Sequence, residues 1–139
     1  MRKLRFLVPT LLLFASFSVG TAQQALTCGT GQKPTQVAEL LFGRNIGGRL
    51  GVTEAKWTRF LAAEVTPRFP DGLSVMDARG QWRDPARNRI VSERSKVVMI
   101  ALPGTADDEQ RLQEIIEAYK TRFRQQSVGL ILRPACVSF

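Results

Sequence analysis

Six consecutive apolar residues, Val97-Val98-Met99-Ile100-Ala101-Leu102, stop at Pro103-Gly104. A run this short, bounded by two chain breakers, predicts a strand, and one apolar at every position predicts a central strand buried on both faces. The chain must therefore supply neighbours on each side of it and cover for two faces. One neighbour comes before it. Leu73 to Arg83 reads as a long strand, Asp84-Pro85-Ala86-Arg87-Asn88 as the reversal, and Arg89 to Leu102 as the return.

Two helices are predicted. Thr53 is a suitable N-cap, Glu54 lies in the first turn, and Val52 with Trp57 occupies the positions of a hydrophobic staple. Trp57, Phe60, Leu61 and Val65 share one face, and Pro67 stops this helix near Val65. Arg68-Phe69-Pro70-Asp71-Gly72 is a tight connection. The second helix is capped by Thr105 and carries Leu112, Ile115, Ile116, Tyr119 and Phe123 as a stripe at helical spacing. Lys120, Arg122 and Arg124 suit its negative end.

Gln36 to Phe42 predicts a first strand, followed by a glycine-rich loop from Gly43 to Gly51. Ser127 to Leu132 predicts a last strand, closed by Pro134. The order β-α-β-β-α-β is that of a ferredoxin-like α+β fold: a four-stranded antiparallel sheet with both helices on one face. The other face is left open. It must be polar, covered by a second subunit, or occupied by a ligand.

Residues 1–22 have the form of a secretory signal. Arg2, Lys3 and Arg5 precede an apolar stretch, and Gly20-Thr21-Ala22 gives small residues before a cut between Ala22 and Gln23. The stretch is too short for a comfortable membrane span, so no membrane association is expected after cleavage. Residues 23–34 read as an irregular lead-in and 35–139 as one domain. The signal removes three cations and no acid, so the formal charge falls from +8 to +5. Cys28 and Cys136 are the only cysteines, and outside the cytoplasm they are expected to pair. Export implies a periplasmic or secreted protein.

Histidine is absent. That removes the usual neutral-pH base, Ser-His and Cys-His nucleophile systems, and histidine metal sites. Two paired cysteines build no thiolate metal site, and no nucleotide-binding glycine motif is present. No metal, cofactor or catalytic residue is assigned. Nucleic-acid binding is not expected, because the returning strand offers no aromatic platform for bases. What remains is carboxylates and arginines. Glu39 interrupts an apolar strand, and Glu93 falls opposite the region Asp77 to Gln81 across the hairpin. With Arg44, Arg79 or Arg83 nearby, they form either an ion-pair network or a charged cluster on the open face that grips an anionic or polar small molecule. Gly80-Gln81-Trp82-Arg83-Asp84 adds an amide, an indole and both charges.

Three segments then carry a resemblance. Ala38-Glu39-Leu40-Leu41-Phe42-Gly43-Arg44, Val65-Thr66-Pro67-Arg68-Phe69-Pro70-Asp71-Gly72-Leu73 and Asp77-Ala78-Arg79-Gly80-Gln81-Trp82-Arg83-Asp84 resemble the domain-of-unknown-function family 3574. Glu93 through Val98 and Phe123 through Val128 extend the match to about Thr35–Leu132. The resemblance implies an exported or lipid-anchored bacterial protein, of soluble periplasmic form here since no lipobox precedes Cys28, and marks Arg44, Arg68, Asp71, Gln81, Trp82 and Glu93. It implies no activity. Two classes of function stay open: a binding or interaction module, with a homodimer through the open sheet face, and a small enzyme using Glu39 or Glu93 as acid or base.

Overall fold

The computed structural model describes residues 26–85 and 87–139. The expected signal segment and its cut between Ala22 and Gln23 lie outside the described residues. The chain is α+β. Strand β1 (Lys33–Gly43) is followed by the short strands β2 (Asn45–Ile46) and β3 (Arg49–Leu50), helix α1 (Glu54–Phe60), strands β4 (Ser74–Asp84) and β5 (Arg89–Ala101), helix α2 (Asp108–Phe123) and strand β6 (Gly129–Val137). Four strands form one sheet in the order β4-β5-β1-β6, every neighbouring pair antiparallel.

Both helices pack on the same sheet face. Ala38, Leu40 and Phe42 of β1 and Val98 and Ile100 of β5 point into one core with Trp57 and Phe60 of α1 and the Leu112, Ile115, Ile116, Tyr119 and Phe123 stripe of α2. Phe42 sits at its centre. Its ring lies 4.7 Å from Tyr119 and 5.1 Å from Trp57, in the tilted and edge-on geometries aromatic pairs prefer.

Thr53 caps α1 as expected, its hydroxyl accepting from the Lys56 N–H. The helix then widens into a π-turn over Leu61–Val65 before Pro67 ends it. The cap of α2 is different from the expected one. Asp107, not Thr105, stands at the N-cap and makes no side-chain cap bond, while the Asp108 carboxylate accepts the N–H groups of Gly104 and Thr105 and the Thr105 hydroxyl and so fixes the preceding turn. The Thr105 hydroxyl is spent as a donor to this charged acceptor, which leaves it no cap role.

Three strand expectations change. The loop 43–51 contains a small ladder, β2 against β3, turned at Gly47 and Gly48 with φ of 60° and 83°. Those two left-handed positions are what a two-residue hairpin turn requires. β6 runs through Pro134 to Val137. It is an edge strand, so a proline nitrogen lacking a hydrogen is tolerated on its outer side. The apolar run of β5 is central but covered on one face only. Val98 and Ile100 are buried, whereas Val97, Met99 and Ala101 on the other face are half-buried.

Cys28 and Cys136 form a disulfide that ties the lead-in to β6. Among the described residues no helix is long and apolar enough to cross a membrane.

Candidate functional site

The bare sheet face can be read from the strand register. One row crosses all four strands as Gly129, Leu41, Val97 and Met76, and the next as Ile131, Glu39, Met99 and Ser74. Leu41, Met76 and Ile131 are 38%, 46% and 45% exposed. Trp82 continues the apolar surface toward the hairpin end, beside Val91. Among the described residues, Glu39 pairs across this surface with Arg133 of β6. Glu39 thus both faces the open side and finds a cation.

The opposite face of the β4–β5 hairpin is charged where the helices no longer cover it. Lys96, only 6% exposed, holds Asp77 at 2.6 Å and Glu54 at 3.0 Å. Glu54 reaches back to Arg44, which is 2% exposed. Hydrogen bonding from Lys96, then from Arg44, holds the Glu54 carboxyl below its ordinary range. Lys96 does the same for Asp77. Burial pulls the Lys96 ammonium down, but hydrogen bonds to Asp77 and Glu54 outweigh it, and its pKa is raised.

Arg44 is fully employed. Its Nε donates to the Val52 carbonyl at 2.8 Å, its backbone N–H donates to the Arg94 carbonyl, and its own carbonyl accepts from Gly51 and Val52. It fastens the β2–β3 excursion to the sheet. The expected single cluster on the open face therefore does not form. Arg44, Arg79 and Arg83 lie on the helix side, and only Glu39 and Glu93 lie on the open side. The pleat sends successive residues to opposite faces.

β1 stops at Gly43 while β5 continues to Arg89, which leaves a notch beside β5. Its volume is about 630 Å³, and Asn45, Leu50, Arg79, Gln81, Glu93 and Arg94 line it. Two expected residues, Gln81 and Glu93, meet there. Glu93 stands opposite Gly80, accepts the Asn45 N–H at 3.3 Å and faces the space above Gly43. Gln81 donates to the Ser92 hydroxyl. Sequence reasoning missed Arg94. It stands directly opposite Arg79 on one face; neither forms an ion pair among the described residues, and Arg94 acts on Asp77 only through its charge. Like charges directly opposed on a sheet are destabilising.

The other expected residues lie elsewhere. Arg83 reaches Asn88 in the hairpin turn. Arg68 donates to the Glu64 carbonyl at 2.7 Å and pairs with Glu64 and Glu114, tying the π-turn to α2. Asp71 is exposed in the connection, next to Gly72 with φ of 140°.

A family model described as "Protein of unknown function (DUF3574)" matches residues 37–139. Among solved structures, a phage SAM lyase in complex with S-methyl-5'-thioadenosine is similar, with a TM-score of 0.59 at 19% identity over 84% of this chain and 97% of that one. CutA from Synechococcus elongatus gives 0.50 at 13% identity over 78% and 82%. At these identities the likeness is one of fold. No curated protein sequence matches the chain.

Proposed function

Because the chain belongs to the DUF3574 family, whose own description is one of unknown function, we propose its role from its surfaces: an exported interaction module whose bare sheet face receives a second copy of the chain. The single observation that carries this is the apolar row Leu41, Val97 and Met76 on a face no helix covers. β5 has the composition of a strand buried twice and is buried once. Contiguous exposed apolar surface marks an interaction site. A second copy fits because the apolar rows are self-complementary across a two-fold axis, and Glu39, the charged residue in them, is already paired with Arg133 of its own chain. The strand order β4-β5-β1-β6 is read as ferredoxin-like, an arrangement that leaves this face free for sheet-on-sheet packing. The signal-like segment 1–22 and the Cys28–Cys136 disulfide support a periplasmic or secreted location.

Sedimentation velocity at tens of micromolar tests the reading. The wild-type chain is expected to sediment as a dimer, and Leu41→Lys with Ile131→Lys as a folded monomer. A monomeric wild type removes the reading.

A second reading rests on Arg79 and Arg94. Two opposed guanidinium groups that make no ion pair among the described residues, beside Gln81 and with Glu93 in the same notch, favour an anionic or polar small molecule there. Calorimetric titration with phosphate, sulfate and S-methyl-5'-thioadenosine tests it, and Arg79→Ala is expected to weaken whichever binds. A small enzyme acting from Glu93 is the alternative to plain binding there, and consumption of the ligand during the titration separates the two. The likeness to the SAM lyase, at 19% identity, carries no activity by itself.

A further inference from the structure

The last turn of α2 and the outer side of α1 meet over a second groove, of about 460 Å³, lined by Ile46, Lys56, Arg59, Arg122, Phe123 and Arg124. Four of these side chains are cations and none is an acid. They come from segments more than sixty residues apart in sequence, so the fold brings them together.

Their attachments are instructive. Lys56 donates to the Gly51 carbonyl at 2.9 Å and Arg59 Nε to the Ala55 carbonyl at 3.2 Å. Carbonyls position these groups without cancelling their charge. Arg122 has an acid partner, Glu64, and its guanidinium lies 5.5 Å from the centre of the Phe60 ring. Arg124 ends α2 in the left-handed conformation, φ 51°, and has no ion pair among the described residues. Three of the four cations thus have no acid partner among the described residues. Their mutual repulsion opposes the fold and is relieved when an anion sits among them.

The groove is not uniformly polar. Phe123 is buried beneath it and Ile46 half-buried at its side. Guanidinium forks match a phosphate by paired hydrogen bonds, and more than one uncompensated cation calls for a group with several acceptor oxygens. An apolar floor beneath them suits a ligand whose anionic head is carried on an apolar body.

We propose that this groove binds a phosphate group attached to an apolar moiety, with Arg59, Arg124 and Lys56 recognising the phosphate and Phe123 and Ile46 the apolar part. The proposal is independent of the sheet-face and notch readings. The shared chemistry is the phosphate, which a lipid headgroup or a soluble phosphate ester supplies.

Two arms separate those sources. In one, the purified protein is mixed with vesicles of phosphatidylcholine alone or with added phosphatidylglycerol, and the bound fraction is measured by co-sedimentation. In the other, inorganic phosphate is titrated while amide NMR shifts are followed. Lys56→Glu with Arg59→Glu is the test variant. Arg83→Glu with Arg89→Glu, an equal change of charge on the hairpin, is the control, and amide spectra verify that both fold. We expect anionic vesicles or phosphate to bind, with shifts centred on Arg59, Phe123 and Arg124 in the phosphate arm. The test variant is expected to lose about tenfold or more in affinity and the control little. Vesicle binding without phosphate binding assigns a lipid headgroup; saturable phosphate binding assigns a soluble ester. Binding in neither arm, or equal loss in both variants, overturns the proposal.

Discussion

The Lys96 ammonium lies 2.6 Å from the Asp77 carboxylate, its direct cross-strand partner, and 3.0 Å from Glu54 on α1. One buried cation therefore joins the hairpin to the helix. The two carboxyls are held below their ordinary values of 3.8 and 4.5, so the stability they give is present above those values and is lost as pH falls below them. The Lys96 pKa is raised above 10.5, so its contribution is present below 10.5 and is lost as pH rises through the raised value. Denaturation midpoints measured against pH are expected to fall at both ends. Lys96→Met is expected to flatten both limbs. An unchanged acid limb in that variant would show that Glu54 and Asp77 draw their stabilisation elsewhere.

Tyr119 donates to the Gly43 carbonyl at 2.8 Å, fixing the end of β1 against α2. Its phenol pKa is pushed up by burial. Tyr119→Phe keeps the ring and removes the donor, for an expected loss of about 1 kcal/mol. Phe42→Ala empties the centre of the aromatic cluster and is expected to cost about 3–5 kcal/mol. Urea unfolding of the two variants side by side checks the ranking.

Gly51 and Gly43 are both crowded, but by different atoms. A Cβ on Gly51 would lie 2.6 Å from the Cβ of Ile46, while one on Gly43 would meet the Glu93 carboxylate at 2.7 Å. A carboxylate at the end of a flexible side chain can move; a Cβ moves only with its backbone. Gly51→Ala is expected to lower the melting temperature clearly more than Gly43→Ala. Gly43→Ala should also shift the Asn45 amide resonance, since Glu93 accepts from it.

The Cys28–Cys136 bridge spans a sequence separation of 108. Loop-entropy reasoning puts its contribution at about 4–5 kcal/mol, an upper figure for measured bridges. Cys28→Ser with Cys136→Ser is expected to lower stability by roughly 2–5 kcal/mol while leaving the core spectrum native. Thermal melts with and without reductant test this on the wild type.

Much of the fold is legible because its signals are local. The Thr53 cap, the staple of Val52 and Trp57, and the stripe from Leu112 to Phe123 each lie within a few turns of chain. What escapes is whatever depends on position in the sheet. Pro134 reads as a stop unless β6 is known to be an edge. Val97 to Leu102 reads as doubly buried, because composition records the burial a strand needs and not who supplies it. Lys96 reads as a surface residue until Glu54 arrives from α1 to meet it. Of the expected site residues, Gln81 and Glu93 both line the notch, from adjacent rows of one hairpin whose side chains leave on opposite faces. Arg68 and Asp71 lie on another side, since nothing in their spacing fixes where the helix delivers them. Lys56 with Arg59, and Arg122 with Arg124, look like two solvated helix edges. Only their meeting across tertiary space makes a groove.

At one pole of β1, Lys33 pairs with Val137 and the disulfide closes beside them; at the other, Gly43 gives way to the notch, and Gln125 at the end of α2 donates to the Asn45 carbonyl. Eleven residues of strand separate the two poles, about 35 Å. The lead-in at Cys28 and the end of β6 at Cys136 are thereby gathered at a single handle. A solid support attached beside that disulfide holds the domain by the handle and presents the notch and the basic groove at the far tip.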